Sequence, residues 1–349
     1  MDLAQLQTEL KKGQIRPVYL LQGGEAAVIT QARALLRQLI PSEEQSMNYA
    51  QYDLHEVGLA TAVGEIGEAP FFGDYREVVI DNADFLGSGA INAKQEEAVA
   101  ELQAYLQDPL SSTILVLIAP NGKIDARKKI VKAVKKAAFV LDASPLKEGA
   151  AQAAIRRELQ TDGIEIDSGG MRALFSRTQG DYSAMVAALP VLKLYAYSAG
   201  KLSEADVLRL VPKELNDSVF DLVNAVMRRD VTAALAQYRE LLAQQEEPLR
   251  LISLLEGQFR LLIQVEIFMQ RGYTQGAVAE SLSVHPYRVK LAWGEVRKLR
   301  RADLEAAFIM LVNTEAAMKR GTLSKTLGFE LFVLQFAGQG KDYSGVRNG

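Results

Sequence analysis

A chain of 349 residues, 48% of them hydrophobic, has the length for roughly two or three domains, each with a core of its own. Its formal net charge of -3 supplies no global attraction for nucleic acid, so any contact with DNA must come from local basic patches. The lack of cysteine excludes disulfides, thiolate nucleophiles and thiolate metal sites, and fits a reducing cytoplasm.

The start, Met1-Asp2-Leu3-Ala4-Gln5, has no basic stretch followed by an apolar core and does not read as a signal peptide. From Pro17 to Asp142, short β-rich runs alternate with helical ones, the pattern of a parallel sheet flanked by helices. Strands are expected over 17–21, 49–53, 76–81, 114–119 and 139–142, and helices over 26–40, 59–68, 93–107 and 126–137. Residues 1–142 thus form an α/β domain of about five strands. Beyond Pro145 the strands largely stop. Short helices over 149–160 and 171–178 around a glycine-rich turn, Asp167-Ser168-Gly169-Gly170, indicate a small helical domain over 143–211.

Pro212 and the polar Asn216-Asp217-Ser218 mark a boundary and a helix cap. Over 212–338, apolar residues recur at helical spacing: Val219, Phe220, Val223, Val226 and Met227, then Leu249, Ile252, Leu255, Phe259, Leu262 and Ile263. A helical bundle is expected. Leu251, Leu254, Leu261 and Val265 lie on the other faces of the second helix, which makes it central, buried or part of an interface. That run is the most apolar long one, but Arg250, Glu256, Gln258, Arg260 and Glu266 interrupt it, so it is no bare membrane span. The polar tail, 339–349, is expected to be flexible.

Gln22-Gly23-Gly24-Glu25 follows the first strand and opens a helix, where a phosphate loop sits in a nucleotide-binding α/β domain. A working loop ends in Gly-Lys-Ser/Thr, so that lysine meets the outer phosphates and the hydroxyl holds magnesium. Here Ala26-Ala27-Val28-Ile29-Thr30 follows, leaving Gly23, Gly24 and Glu25 as a degenerate loop with no cofactor expected. At the end of the third strand, Asp81-Asn82-Ala83-Asp84 carries Asn82 in place of the acidic residue that would polarise an attacking water. Asp81 and Asp84 are expected to cap the next element. The two histidines, His55 and His285, fall in different domains, so neither a metal cluster nor a histidine-based triad is expected, and no catalytic constellation is visible.

Arg127, Lys128, Lys129, Lys132, Lys135 and Lys136 crowd one short helix, which either is a solvated face or tracks a phosphate backbone. Gln275, Ala279, Ser283 and Val289 have helix-turn-helix spacing, and Arg288 and Lys290 could enter a groove; ordinary bundle packing gives the same pattern. The stretch with the sharpest implication is Ala69-Pro70-Phe71-Phe72-Gly73, two adjacent phenylalanines in a turn bracketed by Pro70 and Gly73. Either both rings fold back onto the core, or at least one points outward as a wedge for a partner's pocket.

Taken in order, several stretches resemble the delta-subunit family of the bacterial DNA polymerase III clamp loader. They are Pro17-Val18-Tyr19-Leu20-Leu21 with Gly24-Glu25; Ala69-Pro70-Phe71-Phe72-Gly73 leading into Val78-Val79-Ile80; Ala126-Arg127-Lys128-Lys129; Gln258-Phe259-Arg260-Leu261-Leu262; and Val284-His285-Pro286-Tyr287-Arg288-Val289-Lys290. The resemblance implies an AAA+-like core, a helical lid and a C-terminal helical collar. It implies a cytoplasmic replication subunit without catalysis of its own, which opens the sliding clamp beside ATPase subunits and delta-prime on primer-template DNA. Phe71 and Phe72, between Pro70 and Gly73, match the family's apolar pair that enters the clamp, and Lys128 and Lys132 become candidates to face DNA. One stretch departs from the family: Pro190, within 187–195, is expected to kink or break a lid helix. A stand-alone AAA+ ATPase and a helix-turn-helix DNA-binding regulator are the alternatives.

Overall fold

A computed structural model describes residues 1–120, 124–197, 200–213 and 215–338; the tail over 339–349 lies outside the described residues. The chain divides into two compact units, one of Met1–Glu158 with Tyr182–Leu189 and one of Leu159–Asp181 with Pro190–Gly349.

The first unit opens with α1 (Leu3–Lys11), β1 (Val18–Gln22), α2 (Ala26–Arg37), α3 (Gln45–Asn48), β2 (Tyr49–Asp53), α4 (Leu59–Glu65) and β3 (Arg76–Asp81). A 3-10 turn over Asp84–Leu86 leads to α5 (Ala93–Tyr105), β4 (Thr113–Ala119), α6 (Lys129–Ala137) and β5 (Phe139–Asp142). The five strands form one parallel sheet in the order β2-β3-β4-β1-β5, with Val18 opposite Leu115 and Val79 opposite Val116. In β4 all seven residues of Thr-Ile-Leu-Val-Leu-Ile-Ala are buried, because a central parallel strand is covered on both faces. Helix α4 is shorter than the expected 59–68: it stops at Glu65, with Gly67 and Pro70 ahead of it.

Farther along the chain come α7 (Glu148–Thr161), β6 (Glu165–Ile166), α8 (Ser168–Arg177), α9 (Tyr182–Ala196), β7 (Lys201–Leu202) and α10 (Glu204–Leu210). Among the described residues the strands largely stop after β5, as expected, leaving only the short parallel pair of β6 and β7. Two expectations are corrected here. The glycine-rich segment is no turn: the Asp167 carboxylate accepts the Gly170 N–H at 2.7 Å, and this cap starts α8 at Ser168. Helix α9 is not broken at Pro190 but runs through it. Pro190 is exposed, which keeps the carbonyl four residues earlier near the water-facing side of the helix.

The remaining helices are α11 (Leu215–Met227), α12 (Val231–Ala243), α13 (Pro248–Gln270), α14 (Gln275–Leu282), α15 (Pro286–Val296), α16 (Arg301–Lys319) and α17 (Gly328–Gly338). Because α11 starts at Leu215, Asp217 and Ser218 sit within its first turn instead of capping it. Helix α13 packs against α11, α15 and α16 and buries Ile252, Leu255, Phe259 and Leu262; of the apolar residues on its other faces that marked it as central, Leu251, Leu261 and Val265 are buried and Leu254 is half-buried. Tyr238 and Phe329, with ring centroids 4.3 Å apart, close the same core between α12 and α17. Among the described residues no helix is long and apolar enough to cross a membrane.

Candidate protein-binding site on an exposed aromatic turn

The segment between α4 and β3 turns the two rings outward. Phe71 is 75% exposed and Phe72 is 42% exposed, and they touch each other edge-to-face with centroids 5.8 Å apart at 80°. The turn is shaped from the end of α3. Asn48, whose side chain is fully buried, accepts the Phe71 N–H on Oδ1 at 2.8 Å and donates its amide to the Phe72 carbonyl. Gly73 has φ +79, where a residue with a Cβ is strained, and the Glu44 carboxylate occupies the space that Cβ would need. Pro70 is half-buried ahead of the rings, and Arg76, at the start of β3, is ion-paired to Glu65 and Glu68 behind them.

Beneath the turn, Glu77 of β3 is buried with Arg37 Nε 3.5 Å from its carboxylate. Burial pushes its carboxyl up to about 7, against the opposing pull of Arg37 and Arg33. Neither Asn48 nor Glu77 was singled out by the sequence. A buried amide serving a turn 23 residues away leaves no local pattern, and Glu77 follows Arg76 as one of two charges at the start of a strand that ends in a third, Asp81.

The degenerate loop does lie between β1 and α2, but its backbone donors face protein acceptors. Gly23 N–H bonds to the Ala119 carbonyl at 3.1 Å, Glu25 N–H to the Ala143 carbonyl at 2.8 Å, and Ala27 N–H to Ser183 Oγ at 3.0 Å. Gly23, at φ +135, lies so close to the chain after β5 that a Cβ would come within 2.2 Å of the Ala143 carbonyl carbon. Free N–H groups and the positive helix end are what bind phosphate. Here the N–H groups of Gly23, Glu25 and Ala27 are taken, and the buried Glu25 carboxylate, which accepts from the Ser183 hydroxyl, supplies negative charge at the same place.

At the far end of β3 the acidic residues stabilise their own loops. Asp81 accepts from Gln51 and faces Arg33 at 3.7 Å, and Asp84 is the first residue of the 3-10 turn, whose N-cap is Ala83 with no side-chain cap bond, so neither carboxylate caps the next element as expected. Asn82, at φ 57, donates to Asp53 at 2.8 Å and holds that carboxyl below its ordinary range. His55 Nε2 lies 3.0 Å from Asp84, which raises the imidazole's pKa.

Residues 19–144 match the family described as DNA polymerase III, delta subunit, and residues 216–336 match its C-terminal domain. The DNA polymerase III subunit delta of Bacillus subtilis is 33% identical over 327 residues, covering 93% of this chain and 94% of that protein. This chain belongs to the DNA polymerase III delta-subunit family. The solved structure of the Bacillus subtilis DNA clamp loader delta protein aligns with a TM-score of 0.80 at 32% identity, covering 96% of this chain and 99% of the other. The family's fold is therefore a parallel-sheet α/β domain followed by helical parts.

The remaining motifs of this chain are accounted for locally. The helix-turn-helix spacing is real in shape, with Ser283 left-handed at φ 52 between α14 and α15. Its apolar residues Val278, Ala279 and Val289 are buried in the bundle, Tyr287 packs edge-on against Phe175, and Arg288 donates to Gln258, so α15 is a packed helix of the bundle. His285 caps α15 by accepting the Tyr287 N–H. The basic helix α6 starts at Lys129, not at 126, so Arg127 and Lys128 lie in the turn ahead of it: Lys128 Nζ donates to the carbonyls of Phe85 and Gly89, Arg127 pairs with Asp125, and on the helix Lys132 is exposed.

Proposed function

We propose that this delta subunit binds the ring-shaped sliding clamp through Phe71 and Phe72 and helps to open it for loading onto primed DNA. The observation that carries the reading is a pair of large aromatic rings held out from a turn, where burial against a partner is the way to remove them from water. Interface energy concentrates in a few such anchors. Opening follows if the rings and the neighbouring α4 fit the opened clamp better than the closed one, since a ligand shifts an equilibrium only by its difference in affinity for the two states.

ATP acts elsewhere in this scheme. The occupied N–H groups at Gly23, Glu25 and Ala27 suit a subunit that leaves hydrolysis to its ATPase neighbours and has no catalysis of its own. We assign residues 1–142 to the clamp-binding AAA+-like domain, 143–211 to a lid and 212–338 to a collar that joins the ATPase subunits and delta-prime in the cytoplasm. Contact with primer-template DNA rests on Lys132, because the Lys128 ammonium is engaged with two carbonyls.

The test is capture of purified sliding clamp by the Phe71→Ala/Phe72→Ala double variant without ATP. Capture should be lost while circular dichroism is unchanged; undiminished capture rejects the reading.

A further inference from the structure

The turn between α4 and β3 has an unusual support. Among the described residues no backbone-to-backbone hydrogen bond reaches residues 69–75, so the segment that carries the rings is not held by a ladder or by its own turn hydrogen bonds. Both polar ends of one buried side chain replace them: Asn48 Oδ1 takes the Phe71 N–H and Asn48 Nδ2 gives to the Phe72 carbonyl. This side chain therefore grips the dipeptide that bears the two rings from behind, in the manner of a neighbouring strand. Glu44, at the N-cap of the same short α3, lies against Gly73, where the left-handed backbone turns the chain away from the rings toward β3.

We infer that Asn48 is the positioning residue of the aromatic wedge, holding Phe71 and Phe72 in the binding conformation before the clamp arrives. The inference rests on the clamp-binding reading above. Without Asn48 the seven-residue segment has to be ordered at the moment of binding, and the rings are free to collapse onto the body of the domain; both effects weaken association. The two hydrogen bonds differ in kind. The first needs an acceptor at position 48 and the second a donor, so a neutral amide or a protonated carboxyl can make both, whereas a carboxylate can make only one.

The experiment compares wild type, Asn48→Ala, Asn48→Asp and Phe71→Ala/Phe72→Ala for sliding-clamp affinity between about pH 5 and pH 8, with amide hydrogen exchange at Phe71 followed in parallel. Asn48→Ala should weaken clamp binding by about tenfold to a hundredfold and expose the Phe71 amide to exchange. Asn48→Asp, which keeps the volume and so guards against a variant that fails to fold, should bind poorly at high pH. Relative to wild type at the same pH, it should recover as acid protonates the carboxyl and restores the donor to Phe72. A purely structural residue would show no such recovery. In the Phe71→Ala/Phe72→Ala background, Asn48→Asp should change nothing further.

If Asn48→Asp binds as wild type throughout, or its loss is the same at every pH, the positioning role is overturned although the wedge stands. If Phe71→Ala/Phe72→Ala retains full capture, the clamp reading itself falls, and the claim that Asn48 holds this turn for the clamp falls with it.

Discussion

The two rings of the wedge are not equivalent, and single truncations should separate them. A phenylalanine side chain presents about 200 Å², so the 75% exposure of Phe71 leaves about 150 Å² to be covered by a partner and the 42% exposure of Phe72 about 85 Å². At about 25 cal/mol per Å² these areas set ceilings of about 4 and about 2 kcal/mol for the two truncations. Phe71→Ala should therefore cost more than Phe72→Ala, by about tenfold or somewhat more in Kd. The rings touch edge-to-face at 5.8 Å, so the two losses should not add: once one ring is gone the other loses a neighbour that helps to hold it. Isothermal titration of each variant with purified sliding clamp measures both the order and the coupling. Folding stability is the control, since truncating the more exposed ring should leave the melting temperature unchanged. Equal losses, or a larger loss at Phe72, would refute the assumption that the area left bare in the free subunit is the area the clamp covers.

Two further expectations concern the scaffold. The carboxyl of buried Glu77 titrates near 7 in the folded chain against an ordinary value of 4.5, so the unfolded chain releases its proton first and stability falls as pH rises through that window. The groups that face it are Arg37 at 3.5 Å, Arg33, and Tyr49 across from it on β2. Glu77→Gln removes the titration, so the stability of the variant relative to wild type should increase by about 3 kcal/mol from about pH 4.5 to about pH 8. Denaturant melts at several pH values check this, and a pH-independent difference would contradict it. Gly23→Ala meets backbone in place of a movable side chain, with its Cβ 2.2 Å from the Ala143 carbonyl carbon and φ at +135. It should destabilise by about 3 kcal/mol or more, or yield no soluble protein, in a melt followed by circular dichroism.

Much of the fold was legible because it rests on short-range pattern. The bounds of β2, β3 and β5 agree with the runs of β-rich residues over 49–53, 76–81 and 139–142, and the apolar surplus of α13 marked the central helix of the bundle. Misreadings came where one local signal competed with another. Gly169 and Gly170 suggested a turn, but the Asp167 cap won; Pro190 suggested a break, but an exposed proline is tolerated when its neighbours remain packed.

By itself the sequence determined the class of the first domain, the loss of the phosphate-loop lysine and the presence of two phenylalanines between Pro70 and Gly73, because composition and spacing along the chain carry that information. Only the tertiary structure decided that these rings face solvent, that Asn48 hydrogen-bonds the backbone that carries them, and that Ala119, Ala143 and Ser183 take the N–H groups of Gly23, Glu25 and Ala27. The physical reason is separation: a buried amide pairs with a turn 23 residues on, and a hydroxyl with a helix end 156 residues back, and no periodicity joins residues so far apart.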